Sequence, residues 1–329
     1  MRVRRFRLGI LAVAAVVALA VLCAEGAEKR SYRLKLEKGK KYYFRMITKQ
    51  EISQTAMGRQ QSVEKTIGMG MDLDVNEVDA NGAMLVDYTY SWMRWGQKGQ
   101  MGEMVYDSSK KDTPVPPMMQ GFAALIGEGF SLKVTPKGQV KAVRGLKRVR
   151  ENISKKLPAG RMREFMMKSM EQYLSDEAVK QFNESWMAMY PDKPVGVGDS
   201  WSKKVVLSQG FPMVLESKWT LKGRKKGVAI IEVSSTVKTN PKAKPMEMGT
   251  HKVSYEFSGK QQGLLEIQES TGLIIRSKIN QEMSGQTKVE VAAPGAEPRT
   301  MTTPMKIKGV VTMEMGKWRK DVWLDKIDS

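Results

Sequence analysis

Apolar and polar residues alternate with period two over most of the chain. Ile67, Met69, Met71, Leu73 and Val75 fall at every second position, with Gly68, Gly70, Asp72 and Asp74 between them, and the run ends in Asp79-Ala80-Asn81-Gly82, a strong hairpin turn. Met84, Val86, Tyr88, Tyr90 and Trp92 repeat the pattern on the way back. The pair therefore predicts an antiparallel hairpin with one continuous apolar face about nine residues long. The same pattern returns after residue 195. There Met213, Leu215, Trp219 and Leu221 lead to a Lys222–Gly227 turn, and Ala229, Ile231, Val233 and Val237 lead back.

Each half of the chain opens on a glycine-containing lead into an aromatic residue, Gly39 to Tyr43 and then Gly196 to Trp201. Each closes on a strand-turn-strand, Phe130–Val143 about Pro136-Lys137-Gly138 and Leu264–Ile279 about Ser270-Thr271-Gly272. An internal duplication and the ordinary recurrence of glycine turns both account for this, and both predict long antiparallel strands.

Between the halves the period changes to about 3.6. Helices are predicted over Gly145–Leu157, Arg161–Leu174 and Ser175–Met189, with Pro158 and Pro191 as breaks. Met162, Phe165, Met166, Met170 and Tyr173 form one stripe, and Val179, Phe182, Trp186 and Met189 another. Ser175 is an N-cap followed by Asp176 and Glu177, where a helix dipole favours acids. A shorter helix is expected over Met118–Ile126. The stripes read as packing surfaces against a sheet.

The first residues change the picture. Arg2, Arg4, Arg5 and Arg7 precede an uncharged apolar run, Leu8–Leu22, of 15 residues, and small or polar residues follow at Ala24, Glu25, Gly26 and Ala27. This is the pattern of a secretory signal cleaved after Gly26, and the run is short of the roughly 20 residues that span a bilayer. Cys23 raises a lipoprotein reading, but Leu22 is large where lipid attachment wants a small residue. Loss of residues 1–26 removes four arginines and one acid, so the formal charge falls from +20 to +17. An exported basic protein meets anionic lipid heads and wall polymers, not nucleic acid, and no aromatic-basic interleaving of the RNA-binding type accompanies the lysines. One cysteine and one histidine in 329 residues exclude disulfide frameworks, zinc clusters and Cys/His nucleophile pairs.

After the helical stretch comes Pro191-Asp192-Lys193-Pro194-Val195-Gly196-Val197-Gly198-Asp199-Ser200-Trp201. Here the chain resembles an uncharacterised family of secreted bacterial proteins, a domain of unknown function, in which such a segment leads into a β-strand. The resemblance extends to Lys41-Tyr42-Tyr43, to Gly127–Gly138 and to the Met-rich final strands. It implies a β architecture and export, and the family brings no established activity. Ser200 is not read as a nucleophile, because Ser202 stands where a nucleophile elbow needs its second glycine and no histidine partner is near. Gly198-Asp199 reads as a turn that delivers Trp201 to the core.

Methionine is abundant, 25 residues of 329. Met69/Met71, Met101/Met104, Met246/Met248 and Met313/Met315 carry the MxM or MxxM spacing of soft Cu(I) sites, while on strands the same residues serve as flexible core filler. Asp72 and Asp74 share a strand face, as carboxylates for acid/base work, calcium or plain solubility would. His251 stands alone at a strand start. Asn152-Ile153-Ser154 and Asn183-Glu184-Ser185 match glycan sequons.

The expected architecture is all-β and mainly antiparallel, a curved sheet or open barrel from two similar halves. The ranges are a signal at 1–26, a first β half at 27–145, a helical insertion at 146–190 and a second β half at 191–329; the alternative is two separate β-sandwiches. The expected function is non-enzymatic: an exported, periplasmic or extracellular protein that binds an amphipathic or anionic envelope component, a lipid or an anionic polymer. No cofactor and no catalytic residue is assigned, and no integral span is expected after signal removal. The alternatives are a methionine-rich Cu(I)-binding protein and an extracytoplasmic hydrolase using carboxylates.

Overall fold

The described residues form one 13-stranded, antiparallel sheet, not two sandwiches. The computed structural model describes residues 28–317 apart from 57–58, 101, 111–113, 210–211, 249–250 and 292–298; the expected signal at 1–26, with Cys23, and Met101 lie outside the described residues. The first strands are β1 (Lys41–Ala56), β2 (Arg59–Val78), β3 (Met84–Gly99), β4 (Gly102–Asp107), β5 (Gly129–Val134) and β6 (Val140–Arg144). The rest are β7 (Ser200–Val206), β8 (Met213–Lys225), β9 (Val228–Thr239), β10 (Met246–Met248), β11 (His251–Gln268), β12 (Ile274–Val291) and β13 (Arg299–Lys317).

The strand order is β6-β5-β3-β2-β1-β13-β12-β11-β9-β8-β7, with β4 paired to β3 and β10 to β11. The chain thus starts in the middle, meanders to one edge at β6, crosses to the other edge at β7 and meanders back until β13 lies beside β1. The sheet is not closed into a barrel: β6 and β7 are not paired. Helices carry the crossing, namely the short α1 (Gln120–Ala123) ahead of it, then α2 (Leu146–Lys156), α3 (Arg161–Leu174) and α4 (Asp176–Met187). The α4 helix ties both edges. Glu184 Oε1 accepts from the β6 amide of Val140 at 2.9 Å, and Gln181 Oε1 accepts from the amide of Ser208, just past β7, at 2.9 Å.

Curvature follows from glycines on the inner face, the face that carries the core. A Cβ on Gly263 would lie 2.1 Å from the carbonyl oxygen of Lys278, and one on Gly259 2.1 Å from that of Glu282. The neighbouring strand occupies the space of a side chain, which lets β11 and β12 coil inward. The larger of two core clusters among the described residues draws on strands before and after the helices: Phe44, Met71, Leu73, Val86 and Leu132 from the first, Leu221, Ile231, Leu265 and Ile267 from the second. The lead segment before β1 stitches them. Its alternate residues Tyr32, Leu34 and Leu36 are buried, Leu34 donates to Pro136 O at 2.8 Å and Lys35 to Thr271 O at 2.8 Å.

Several local expectations need correction. A bulge in β3 opposite Gly70 and Met71 breaks the alternation, so Trp92 pairs with Gly70 and turns to the outer face while Tyr90 stays inside. The second hairpin turns only at Lys226-Gly227, both with positive φ (51° and 76°), because β8 continues past a bulge at Leu221/Gly223. On α3 the buried stripe is Met166, Met170 and Leu174, whereas Phe165 and Tyr173 stay 45% and 48% exposed; Phe182 of α4 is 41% exposed.

Candidate functional site

Half-way along the long strands the inner face carries a polar row, set by register alone. From the β7 edge inward it runs Lys203, Ser217, Ser235, Gln261 and Gln281. It continues across Gly309, Gln50, Lys65 and Gln97. One residue away on each of these strands is an outer-face position, and several of those carry alternating charge, as in Lys260, Glu282, Lys308 and Glu51. The outer face is therefore the charged one and the inner row is uncharged between its lysines.

Most of the row satisfies itself. Ser235 donates to Ser217 Oγ at 2.7 Å, Gln261 Nε2 donates to Gln281 Oε1 at 3.3 Å, and Lys203 Nζ donates to the Tyr190 carbonyl at 2.8 Å. At the centre the neighbours fill the place of a side chain on Gly309, where a Cβ would meet the Lys49 carbonyl oxygen at 2.7 Å, Gln50 Cγ at 2.9 Å and Gln281 Nε2 at 3.3 Å. Lys65 differs. It is half-buried, and burial alone pushes its ammonium below the usual lysine range with no carboxylate acting against the shift.

Apolar rows flank the polar one. Towards the strand ends lie Val63, Ile52, Ile307 and Met283, and towards the core lie Ile67, Val311 and Ile279, with Thr48 the one hydroxyl among them. All but Ile307 are only half-buried. Over the inner face of β11 stands α3: burial raises the Tyr255 hydroxyl, and Tyr173 beside it adds to the effect. Tyr173 itself is 48% exposed, and burial of its hydroxyl raises it too. A separate open cleft of about 650 Å³ lies where β9 ends before β10, lined by Thr239, Asn240, Tyr255, Glu256 and Phe257 among others.

The outer face holds a second concentration of charge. Trp92 lies over Gly68 and donates its indole N–H to Asp107 Oδ1 at 2.9 Å, and Arg45 stacks over the ring at 4.6 Å. Burial would raise the Asp107 carboxyl, but the Ser109 hydroxyl and amide and the Trp92 indole donate to it and hold it below the usual range. Asp107 Oδ1 is fully used, but Arg45 Nε and Nη2 and Asp107 Oδ2 are buried without a hydrogen-bond partner, and only Arg94 Nη1, 3.8 Å away, faces that second carboxylate oxygen. The bulge that creates this cluster was the missed signal, and Gly68 and Gly70, two glycines on one strand face, were its trace in the sequence.

The residues singled out from sequence disperse. Asp72 and Asp74 are on the outer face, with Asp74 paired to Lys41 at 2.8 Å. Ser200 hydrogen-bonds Thr220 at 2.8 Å, Asp199 caps Gly196 at 3.0 Å, and Trp201 stacks on Trp219 at 6.4 Å. Asn152 donates to Glu128 and Asn183 to the Val179 carbonyl. Met69/Met71 and Met313/Met315 sit on the inner face, Met104 is 45% exposed, and the side chains of Met246, Met248 and His251 lie outside the described residues. Among the described residues no three His, Cys, Asp or Glu side chains converge, and no helix is long and apolar enough to cross a membrane.

Among solved structures the chain is similar to an outer membrane channel from Pseudomonas putida F1, at 7% identity over 88% of this chain and 100% of that one, TM-score 0.23. It is similar to Salmonella typhi OmpF in complex with daunomycin, at 8% identity over 84% and 98%, TM-score 0.20. A DUF1329 family protein from Desulfovibrio piger gives 10% identity over 88% and 89%, TM-score 0.14. Likeness at these scores says nothing about function. No curated protein matches the chain. The model of the family of unknown function DUF6263 matches residues 81–274, more than half of the chain, and the protein belongs to that family.

Proposed function

We propose that this is an exported, non-enzymatic envelope protein that binds an amphipathic component with an acidic head group on the inner face of its curled sheet. Lys65 carries the reading. It is a desolvated cation with no hydrogen-bond or ion-pair partner among the described residues, set in a polar row between two half-buried apolar rows. A half-buried ammonium loses part of its hydration with no counter-charge in return, and an acid head supplies the missing partner while its apolar portion covers Ile52, Val63 and Met283. The charged outer face suits water, and the signal-like first 26 residues and basic balance suit export to a compartment of anionic lipids. Native mass spectrometry with lipid extraction of protein purified from its own envelope tests this. Co-purified acidic lipid is expected; protein that emerges empty and takes up none when offered it would refute the proposal.

A further inference from the structure

We infer a soft-metal site on the same inner face, in which one Cu(I) ion is held by the thioethers of Met313, Met46 and Met69 on the adjacent strands β13, β1 and β2. The sequence spacing suggested pairs along single strands, but register builds the site across them. Met313 pairs with Met46, Met46 with Met69 and Met69 with Met93, so four successive strands place methionine at one level of one face. Opposed residues in such a ladder have Cβ atoms about 4.5–5.5 Å apart, and methionine has three rotatable bonds, so neighbouring sulfurs can converge on one ion. Thioethers are neutral and soft, need no deprotonation and select Cu(I) over hard cations.

Packing alone accounts for buried methionines such as Met313, 2% exposed, and Met93, 6% exposed. It does not fully account for Met46 and Met69, which lie against the core cluster but are only half-buried and leave a way in. Nor does it account for Ser277, the residue that pairs with Met313 on the far side. Ser277 is 2% exposed and its hydroxyl has no hydrogen-bond partner. A buried hydroxyl left unpaired is costly, and this one stands at the level of the methionine row, one strand beyond Met313. This row lies nearer the core than Lys65, and the inference stands independently of the lipid reading.

The test is anaerobic titration of the folded protein with Cu(I) under reducing conditions against a chromogenic Cu(I) chelator, repeated with Ag(I), which is redox-inert. One ion per chain is expected, with sulfur-dominated scattering in X-ray absorption. Met46→Leu and Met69→Leu conserve volume and should keep the fold by circular dichroism. Each is expected to weaken binding at least tenfold, while Met301→Leu, at an exposed position of β13, leaves it unchanged. If the wild-type protein retains no Cu(I) against the chelator, or if Met301→Leu weakens it as much as Met46→Leu, the site does not exist.

Discussion

Gly68→Ala probes the outer-face cluster that the β3 bulge creates. A Cβ there would lie 2.4 and 2.6 Å from two ring carbons of Trp92 and 3.1 Å from Arg94 Cβ. The ring has little freedom to retreat, because its N–H is fixed on Asp107 at 2.9 Å and Arg45 stacks on it at 4.6 Å. Overpacking of this kind costs about 1–3 kcal/mol, and straining a hydrogen bond to a charged acceptor adds up to about 1.5–3 kcal/mol. Against this, alanine is favoured over glycine within a strand by roughly 0.5–1 kcal/mol. The net expectation is a loss of about 2–4 kcal/mol, which for a chain this size lowers Tm by roughly 4–8 °C. In a Trp92→Leu background the clash is gone and Gly68→Ala should be neutral to within about 0.5 kcal/mol. Urea unfolding followed by far-ultraviolet circular dichroism on the four proteins measures the coupling. Equal costs in both backgrounds would show that Trp92 does not lie over Gly68 and that the alternation runs unbroken through β3.

Lys65→Met should stabilise the protein at neutral pH by on the order of 1 kcal/mol, as removing a strained functional group commonly does. Because burial depresses the Lys65 pKa, the penalty is present at neutral pH and fades as pH rises towards the ordinary lysine value of 10.5, so the gain from Lys65→Met should shrink in thermal melts between pH 8 and 10.5. Asp107→Asn should cost about 2–3 kcal/mol at neutral pH through weakened bonds from Ser109 and Trp92. The depressed carboxyl stabilises the fold above its ordinary value of 3.8 and loses that contribution as pH falls below it, so wild type and Asp107→Asn should converge in acid; parallel curves would contradict the hydrogen-bond geometry. Gly263→Ala must displace the Lys278 carbonyl, 2.1 Å from the new Cβ, and should lower Tm by several degrees, whereas Gly223→Ala, with open space around it, should not.

Period and turn chemistry made much of the fold legible. The Asp79–Gly82 turn, the Ser175 cap, which accepts from Ala178, and the Gly198-Asp199 turn ahead of Trp201 all stand where local residue types require them. What stayed hidden depends on the third dimension. A one-residue bulge reverses every side chain after it, so Trp92 could not be sided from its spacing. The exposure of Phe165 and Tyr173 depends on which stripe of α3 meets the sheet, and apolar periodicity there was consistent with two. The polar row was least legible of all. Lys65, Gln50, Gln281 and Gln261 stand far apart in the chain, each an ordinary polar residue in a strand, and only the pairing register sets them at one level.

The most direct test of the account is a titration of the wild-type protein and Lys65→Met with a fluorescent long-chain fatty acid and with its methyl ester, which differ only in the acidic head. The wild type is expected to bind the acid at least tenfold more tightly than the ester, and Lys65→Met to bind both alike. Failure of the wild type to bind either, or an acid preference that survives Lys65→Met, would contradict the claim that Lys65 receives the head group of an amphipathic ligand.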